Sequence, residues 1–359
     1  MSAFHPLKVS NITRETRDTV SISLHVPEEL KNEFSFKQGQ YLTFRMQMQG
    51  EEIRRSYSIC SAPHEGMLKV AVKKIEEGKF STYANDVLKE GDMLETMPPM
   101  GNFFTTLDSN QSKNYLFIAA GSGITPVISI IKSVLHTEKN STCTLLYGNK
   151  GSATIIFKEE LEAIKNMYLE RFSLYHLFTK ENTDIELLNG RIDGDKLKAL
   201  SSKLIDFTSL HEVFLCGPAE MIESSEEALH SLGIDKKHIH KELFTAPGAK
   251  GADSKKKTIV KEFAGDISQV TVILDGNQTI FPLAVQGESI LDASLHHGAD
   301  VPFACKGAVC CTCKARVMEG KVEMELNYSL TDEEIADGYV LTCQSHPITE
   351  NVTVSFDEA

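Results

Sequence analysis

Cys305, Cys310 and Cys313 are spaced as C-x4-C-x2-C, and Cys343 follows at a distance. As thiolates, four cysteines in this pattern can converge on two irons bridged by two sulfides, the ligand set of a [2Fe-2S] cluster. Small residues between them, Gly307, Ala308 and Thr312, let the backbone wrap closely and aim N–H groups at the sulfurs. A four-cysteine zinc site is the poorer match, because such sites pair two short C-x2-C knuckles and this stretch has one. Cys311 lies inside the loop but off the spacing, and reads as a bystander thiol packed there.

Other stretches carry weaker chemistry. Arg55-Ser56-Tyr57-Ser58 reads as strand, where alternation sends Arg55 and Tyr57 to one face. An aromatic ring there can stack on an isoalloxazine while an arginine grips a pyrophosphate, although a surface arginine and a core tyrosine are common on any strand. Gly78-Lys79-Phe80-Ser81 opens a helical stretch whose free N–H groups can hold the same phosphates. Gly121-Ser122-Gly123-Ile124-Thr125-Pro126 links a strand to a helix with small residues, as a dinucleotide-phosphate loop does, yet it is not G-x-G-x-x-G. Cys216-Gly217-Pro218 repeats that logic at the carboxyl end of a later strand. Alone, Cys216 reads as a buried strand cysteine and Glu242 as a solvated carboxylate.

The elements that must position these residues fall into three blocks. Residues 1–110 read as short alternating strands (Leu7–Thr13, Thr19–Val26, Tyr41–Met46, Ile53–Cys60, Leu68–Ile75) with one helix near Ser81–Leu88. Pro98-Pro99 and the following residues close the block, and the pattern predicts a small antiparallel β-barrel. Residues 111–245 alternate strand and helix, which predicts an α/β parallel sheet. The expected strands are Tyr115–Ala120, Leu145–Tyr147, Phe172–Phe178, Glu212–Cys216 and Ile239–Phe244; the helices are Val127–His136, Phe157–Tyr168 and one opening at Pro218. Residues 246–264 have linker composition, from Ala246-Pro247-Gly248 to Lys255-Lys256-Lys257. Residues 265–359 read as an α+β unit carrying the cysteines, with strands Gln269–Leu274, Thr279–Leu283, Cys313–Met318 and Asn351–Phe356, helix Ile290–His296 and a short helix opening at Thr331.

With 359 residues the chain can bury several cores. The apolar run Tyr115–Ile131 is broken by Gly121, Gly123 and Pro126, and the first residues lack a basic-then-apolar segment, so neither a membrane span nor a secretion signal is expected. Eight cysteines then fit a metal centre in a reducing cytoplasm better than disulfides. A net charge of −13 argues against nucleic acid as partner. Most of it lies from Gly265 onward, where fifteen Asp and Glu face four Lys and Arg; a solvated face and a docking surface for a basic partner explain it equally well.

Taken in order, Arg55–Ser58, Gly78–Ser81, Gly121–Pro126, Tyr147-Gly148-Asn149, Ile156–Leu161, Cys216–Pro218, Glu242-Leu243-Phe244 and the four cysteines resemble, over essentially the whole chain, a ferredoxin-NADP reductase-type flavoprotein with a C-terminal plant-type ferredoxin domain of β-grasp fold. The resemblance implies FAD held by Arg55, Ser56, Tyr57, Ser58, Val72, Lys73, Gly78, Lys79, Phe80 and Ser81. It implies a nicotinamide nucleotide at Gly121, Ser122, Gly123, Thr125, Pro126, Asn149, Cys216, Gly217 and Pro218. Ser58, Cys216 and Glu242 would line the place where nicotinamide meets flavin, with Phe244 covering the ring. Relatives that select NADPH often carry a Ser-Arg pair after the third nucleotide-domain strand; Thr179-Lys180 stands here, with Lys150 nearby, which tilts toward NADPH and leaves NADH open. Relatives often have a small residue where Cys311 stands, so its thiol would make the loop sensitive to oxidation.

A hydride carries two electrons and the cluster accepts one, so a flavin must stand between them. The resemblance therefore implies an NAD(P)H-dependent electron-transfer reductase whose acceptor is a separate oxygenase, a di-iron enzyme acting on an aryl-CoA thioester. Alternatives of the same chemistry are the reductase of another hydroxylase or desaturase and an FMN-dependent dioxygenase reductase. An alternative of another class is a non-catalytic redox sensor or scaffold.

Overall fold

The structure is a computed structural model, and it describes residues 4–244 and 262–358. The expected linker run Ala246–Lys257 lies outside the described residues. Two compact units are present: residues 5–53 with 57–244, and the C-terminal residues from 262 together with Phe4 and 54–56.

In the first unit, β1 (His5–Thr16), β2 (Thr19–His25), β3 (Tyr41–Met48), β4 (Glu51–Ser58), β5 (Leu68–Lys73) and β6 (Met93–Met100) form one antiparallel sheet. Its order is β4-β3-β6-β1-β2-β5, and an Ile59–Val70 bridge joins the two ends into a barrel. Alternation supplies the core: Val20, Ile22 and Leu24 of β2 turn inward against Leu7, Leu42, Phe44 and Val70. β6 departs from the expectation, because Pro98 and Pro99 read as a stop. Both prolines lie past the β1–β6 ladder, which ends at Thr96, and within the bulge of the β3–β6 ladder between Met97 and Met100. A bulge leaves ladder positions unpaired, so the missing N–H groups cost nothing there. Helix α1 (Lys79–Asp86) packs Phe80 into the barrel, with its ring 5.5 Å from that of Phe44.

The same unit holds a parallel sheet of β7 (Asn114–Ala120), β8 (Thr142–Asn149), β9 (Phe172–Phe178), β10 (Glu212–Gly217) and β11 (Ile239–Leu243), in the order β11-β10-β7-β8-β9. Its helices are α2 (Ile124–Thr137), α3 (Lys158–Met167), α4 (Gly194–Ser201) and α5 (Ala219–Ser231). α4 is an addition to the expected helices; it is short, and the Asp193 side chain caps it by accepting from Lys196 N. α2 is buried from Ile124 to Leu135, polar positions included. Ser129 donates to the Ser61 carbonyl at 2.6 Å, and the nearly buried Lys132 bridges Glu65 and Glu160, each at 2.8 Å. Glu65 and Ser61 belong to the barrel's connections, so barrel and sheet pack as one unit through this helix face.

The second unit contains β12 (Ile267–Leu274), β13 (Asn277–Ala284), α6 (Ile290–His296), β14 (Lys314–Glu319), β15 (Val322–Met324), α7 (Asp332–Ala336), β16 (Tyr339–Leu341), β17 (Ser345–Pro347) and β18 (Asn351–Ser355). The main sheet runs β13-β12-β18-β14-β16, with β12 and β18 parallel and the other pairs antiparallel, and β15 pairs with β17. This is a mixed α+β sheet of β-grasp type. β15, β16 and β17 span three residues each, too short for a period-two pattern to reveal them.

Candidate functional site

β10 and β11 run parallel with Cys216 opposite Glu242, so both side chains arrive at the carboxyl edge of the sheet. Ser58, the last residue of β4, is buried there and donates from Oγ to Glu242 Oε2 at 3.1 Å. Three residues far apart in sequence are thus gathered at one point. Desolvation pushes the Glu242 carboxyl up to about 8, with the Ser58 hydrogen bond opposing only part of the rise. Burial likewise raises the Cys216 thiol well above its ordinary range, and the nearby Glu242 adds to this. At neutral pH the wall formed by these side chains is therefore uncharged.

Two glycines beside it are tightly packed, Gly123 against backbone and Gly217 against a side chain. A Cβ on Gly123 would overlap the carbonyl oxygen of Cys216 and sit 3.0 Å from Gly217 N; one on Gly217 would lie 2.6 Å from Met221 Cε. Gly121, at φ 54°, starts a single tight turn, Gly121–Gly123, that runs straight into α2. Tyr147 donates to the Gly121 carbonyl at 2.9 Å, and Thr125 to that of Ser122 at 3.0 Å. Pro126 is buried in the first turn of α2, where its missing N–H is tolerated. Asn149 ends β8 with its amide nitrogen buried and without a hydrogen-bond partner. Thr179 N donates to the Asn149 carbonyl at 3.1 Å and Lys180 N to that of Lys150 at 2.9 Å, so these four residues share the carboxyl edge of β8 and β9. The orphaned Asn149 amide suits a ligand laid along this edge.

On the barrel side, Arg55 is exposed and Tyr57 half-buried, the Tyr57 ring lying 5.3 Å from that of Phe80. Arg55 Nη1 donates to the Arg54 carbonyl at 2.7 Å. Gly78 caps α1, and Ser81 Oγ both donates to the Gly78 carbonyl (3.2 Å) and accepts from Ile75 N (3.3 Å). The Lys79 ammonium pairs with Glu51, and that of Lys73 lies 3.8 Å from Asp18. Val72 and Phe80 are core side chains, so only their backbone is open to a ligand. Phe244 is exposed, one residue beyond β11.

In the C-terminal unit the four cysteines lie as two pairs. Cys310 donates to Cys305 across 3.0 Å, which lowers the Cys305 thiol and raises that of Cys310. Cys313 and Cys343 form the same kind of pair, with Cys343 lowered and Cys313 raised. Among the described residues no three His, Cys, Asp or Glu side chains gather as ligands of a single ion. Two pairs of thiols match two irons with two thiolates each, and so fit a binuclear cluster better than one tetrahedral zinc.

The loop between the pairs is wound tightly: Lys306 and Ala308 adopt φ 51° and 62°. Left-handed backbone at non-glycine residues costs on the order of 1–2 kcal/mol each and persists only where surrounding bonds impose it. Here the Ala308 carbonyl accepts from Tyr328 N at 3.1 Å, the Lys306 ammonium pairs with Asp292 at 2.6 Å, and Gln344 Nε2 reaches the Lys306 carbonyl at 3.3 Å. Gly307 N points at Cys305 Sγ, 3.3 Å away. Cys311 is buried next to Cys310 with its carbonyl accepting from Lys314 N. Gln344 escapes a reading of the sequence alone, although its position directly after Cys343 is a signal that it lies against the sulfurs.

Three family descriptions match in chain order: an oxidoreductase FAD-binding domain over 6–105, an oxidoreductase NAD-binding domain over 117–227, and a 2Fe-2S iron-sulfur cluster binding domain over 272–347. One of the subunits of 1,2-phenylacetyl-CoA epoxidase from Escherichia coli (strain K12) is 46% identical over 357 residues, 99% of each chain. The ferredoxin reductase component of 3-ketosteroid-9-alpha-monooxygenase from Rhodococcus rhodochrous is 34% identical, covering 98% of this chain and 96% of its own. Phthalate dioxygenase reductase has the same fold, with a TM-score of 0.58 at 21% identity over 98% of both chains.

Proposed function

Because the chain belongs to the FAD- and NAD-binding oxidoreductases with a C-terminal 2Fe-2S domain that serve oxygenases as reductase components, we propose that it is the reductase of a phenylacetyl-CoA epoxidase, delivering electrons in the cytoplasm to a di-iron oxygenase that acts on an aryl-CoA thioester. The chain takes electrons from NAD(P)H and passes them by way of FAD and a [2Fe-2S] cluster to an oxygenase component. Bound flavin supplies the conversion from a two-electron donor to a one-electron relay.

In this reading Arg55, Ser56, Tyr57, Ser58, Lys73 and Ser81 would hold the flavin, with backbone from Val72 and from Gly78 to Phe80. Gly121–Gly123, Thr125, Pro126, Asn149, Lys150, Thr179, Lys180 and Cys216–Pro218 receive the nucleotide. Ser58, Cys216 and Glu242 position the nicotinamide against the flavin. Glu242 keeps its proton up to about pH 8, so it offers an O–H donor and no fixed negative charge. Cys216, fully buried and neutral, excludes water from the same wall. Cys305, Cys310, Cys313 and Cys343 hold the cluster.

The observation that carries the redox assignment is the 3.1 Å contact of Ser58 with Glu242 beside Cys216. End-to-end identity of 46% with the epoxidase component favours that oxygenase over the steroid monooxygenase, at 34%. The test is reconstitution: the purified chain, with its flavin identified by mass, should sustain NAD(P)H-dependent epoxidation of phenylacetyl-CoA by the epoxidase's oxygenase components. Bleaching of the flavin by NAD(P)H without any turnover of that oxygenase would exclude this acceptor.

A further inference from the structure

We propose that Gln344 is a positioning residue of the iron-sulfur centre, whose side-chain amide ties the Cys305 loop to the Cys343 segment and, by donating to Cys343 Sγ, raises the reduction potential of the cluster. It rests on the assignment of the four cysteines as cluster ligands. Gln344 is nearly buried, at 9% exposed, and directly follows Cys343. Its Nε2 lies 3.3 Å from the Lys306 carbonyl and 3.8 Å from Cys343 Sγ. One NH2 group has two protons and can serve both acceptors at once. Its own carbonyl accepts from Glu325 N at 2.8 Å, which fixes the backbone from which the side chain extends.

The Ala308 N–H of the Cys305–Cys310 loop also reaches Cys343, whereas Thr342 holds to its own cysteine pair. Thr342 donates to the Cys313 carbonyl from both N (3.1 Å) and Oγ1 (2.9 Å). Gln344 instead crosses to the other pair, at the left-handed residue that follows Cys305. An N–H donated to a thiolate sulfur disperses negative charge and so favours the reduced, more negative cluster. The same hydrogen bond therefore holds the loop and sets the ease of reduction.

The test uses the full chain. Iron and sulfide are first counted in the wild type; their absence would indict the ligand assignment and not Gln344. In Gln344→Met, which keeps the length but has no donor, the one-electron equilibrium should shift at least threefold toward the oxidised cluster, about 28 mV at 59 mV per tenfold. An unchanged midpoint in iron-loaded Q344M would overturn the proposal. Independently of any variant, wild-type protein labelled with ¹⁵N in its glutamine side-chain amides should show a ¹⁵N hyperfine coupling in the reduced state. A spectrum without that coupling would overturn it even if Q344M failed to fold.

Discussion

Gly123 offers a perturbation whose consequence follows from geometry alone. Its φ is −61°, a value open to any residue, so Gly123→Ala introduces no backbone strain. What it introduces is a methyl group driven into the Cys216 carbonyl and against Gly217 N, both backbone atoms held in the β7–β10–β11 ladder. Neither can rotate aside, so turn and strand must part, by about 1 Å to restore contact distance, and overpacking of this kind costs about 1–3 kcal/mol. Cys216 is displaced with the strand end, and under its proposed role beside the nicotinamide a misplacement of about 1 Å can cost roughly 10²-fold in rate. The assays are urea unfolding of the FAD-loaded chain and stopped-flow bleaching of its flavin by NAD(P)H. Gly66→Ala is the control: at φ 64°, with nothing within 4 Å of the added carbon, it should lose on the order of 1 kcal/mol through backbone strain and leave the bleaching rate alone. If G123A kept both its unfolding midpoint and a bleaching rate within twofold of wild type, the close approach of turn and strand would not be what orders this site.

Three further outcomes are expected. Glu242 holds its proton up to about 8 in the fold but only to the ordinary 4.5 when unfolded, so the wild type should lose stability as pH rises from 4.5 to 8, and Glu242→Gln should remove that slope in unfolding titrations. Glu212 behaves oppositely: burial raises its carboxyl, but hydrogen bonds from His240 (2.9 Å) and Lys113 (3.0 Å) outweigh it and bring the value to about 2. Its stabilisation, on the order of 2–3 kcal/mol above pH 4.5, should fade between 4.5 and 2 and be missing at neutral pH in Glu212→Gln, as read from denaturant midpoints. Cys343→Ser should lose cluster iron while keeping flavin and NAD(P)H-dependent bleaching, whereas Cys311→Ser should keep both; iron loss in C311S with retention in C343S would reverse the ligand assignment.

Local chemistry was enough to make the cysteine spacing legible, since three thiolates at C-x4-C-x2-C and a distant fourth have few other uses. It was enough, too, for the strand-helix alternation of the parallel sheet, because a strand buried on both faces writes a continuous apolar run such as Tyr115–Ala119. β6 escaped because prolines forbid a ladder only where the ladder needs their N–H, and that depends on neighbours distant in sequence. Apart from the family resemblance, Glu242 read as a solvated carboxylate for the same kind of reason: its burial and its Ser58 partner exist only once β4 and β11 are brought together. Residue identity and spacing determined which cofactor chemistry the chain can perform. Which carboxylate stays protonated, which glycine must remain bare and which amide reaches a sulfur were decided by tertiary packing, because desolvation and steric contact belong to three-dimensional neighbours and have no signature in sequence order.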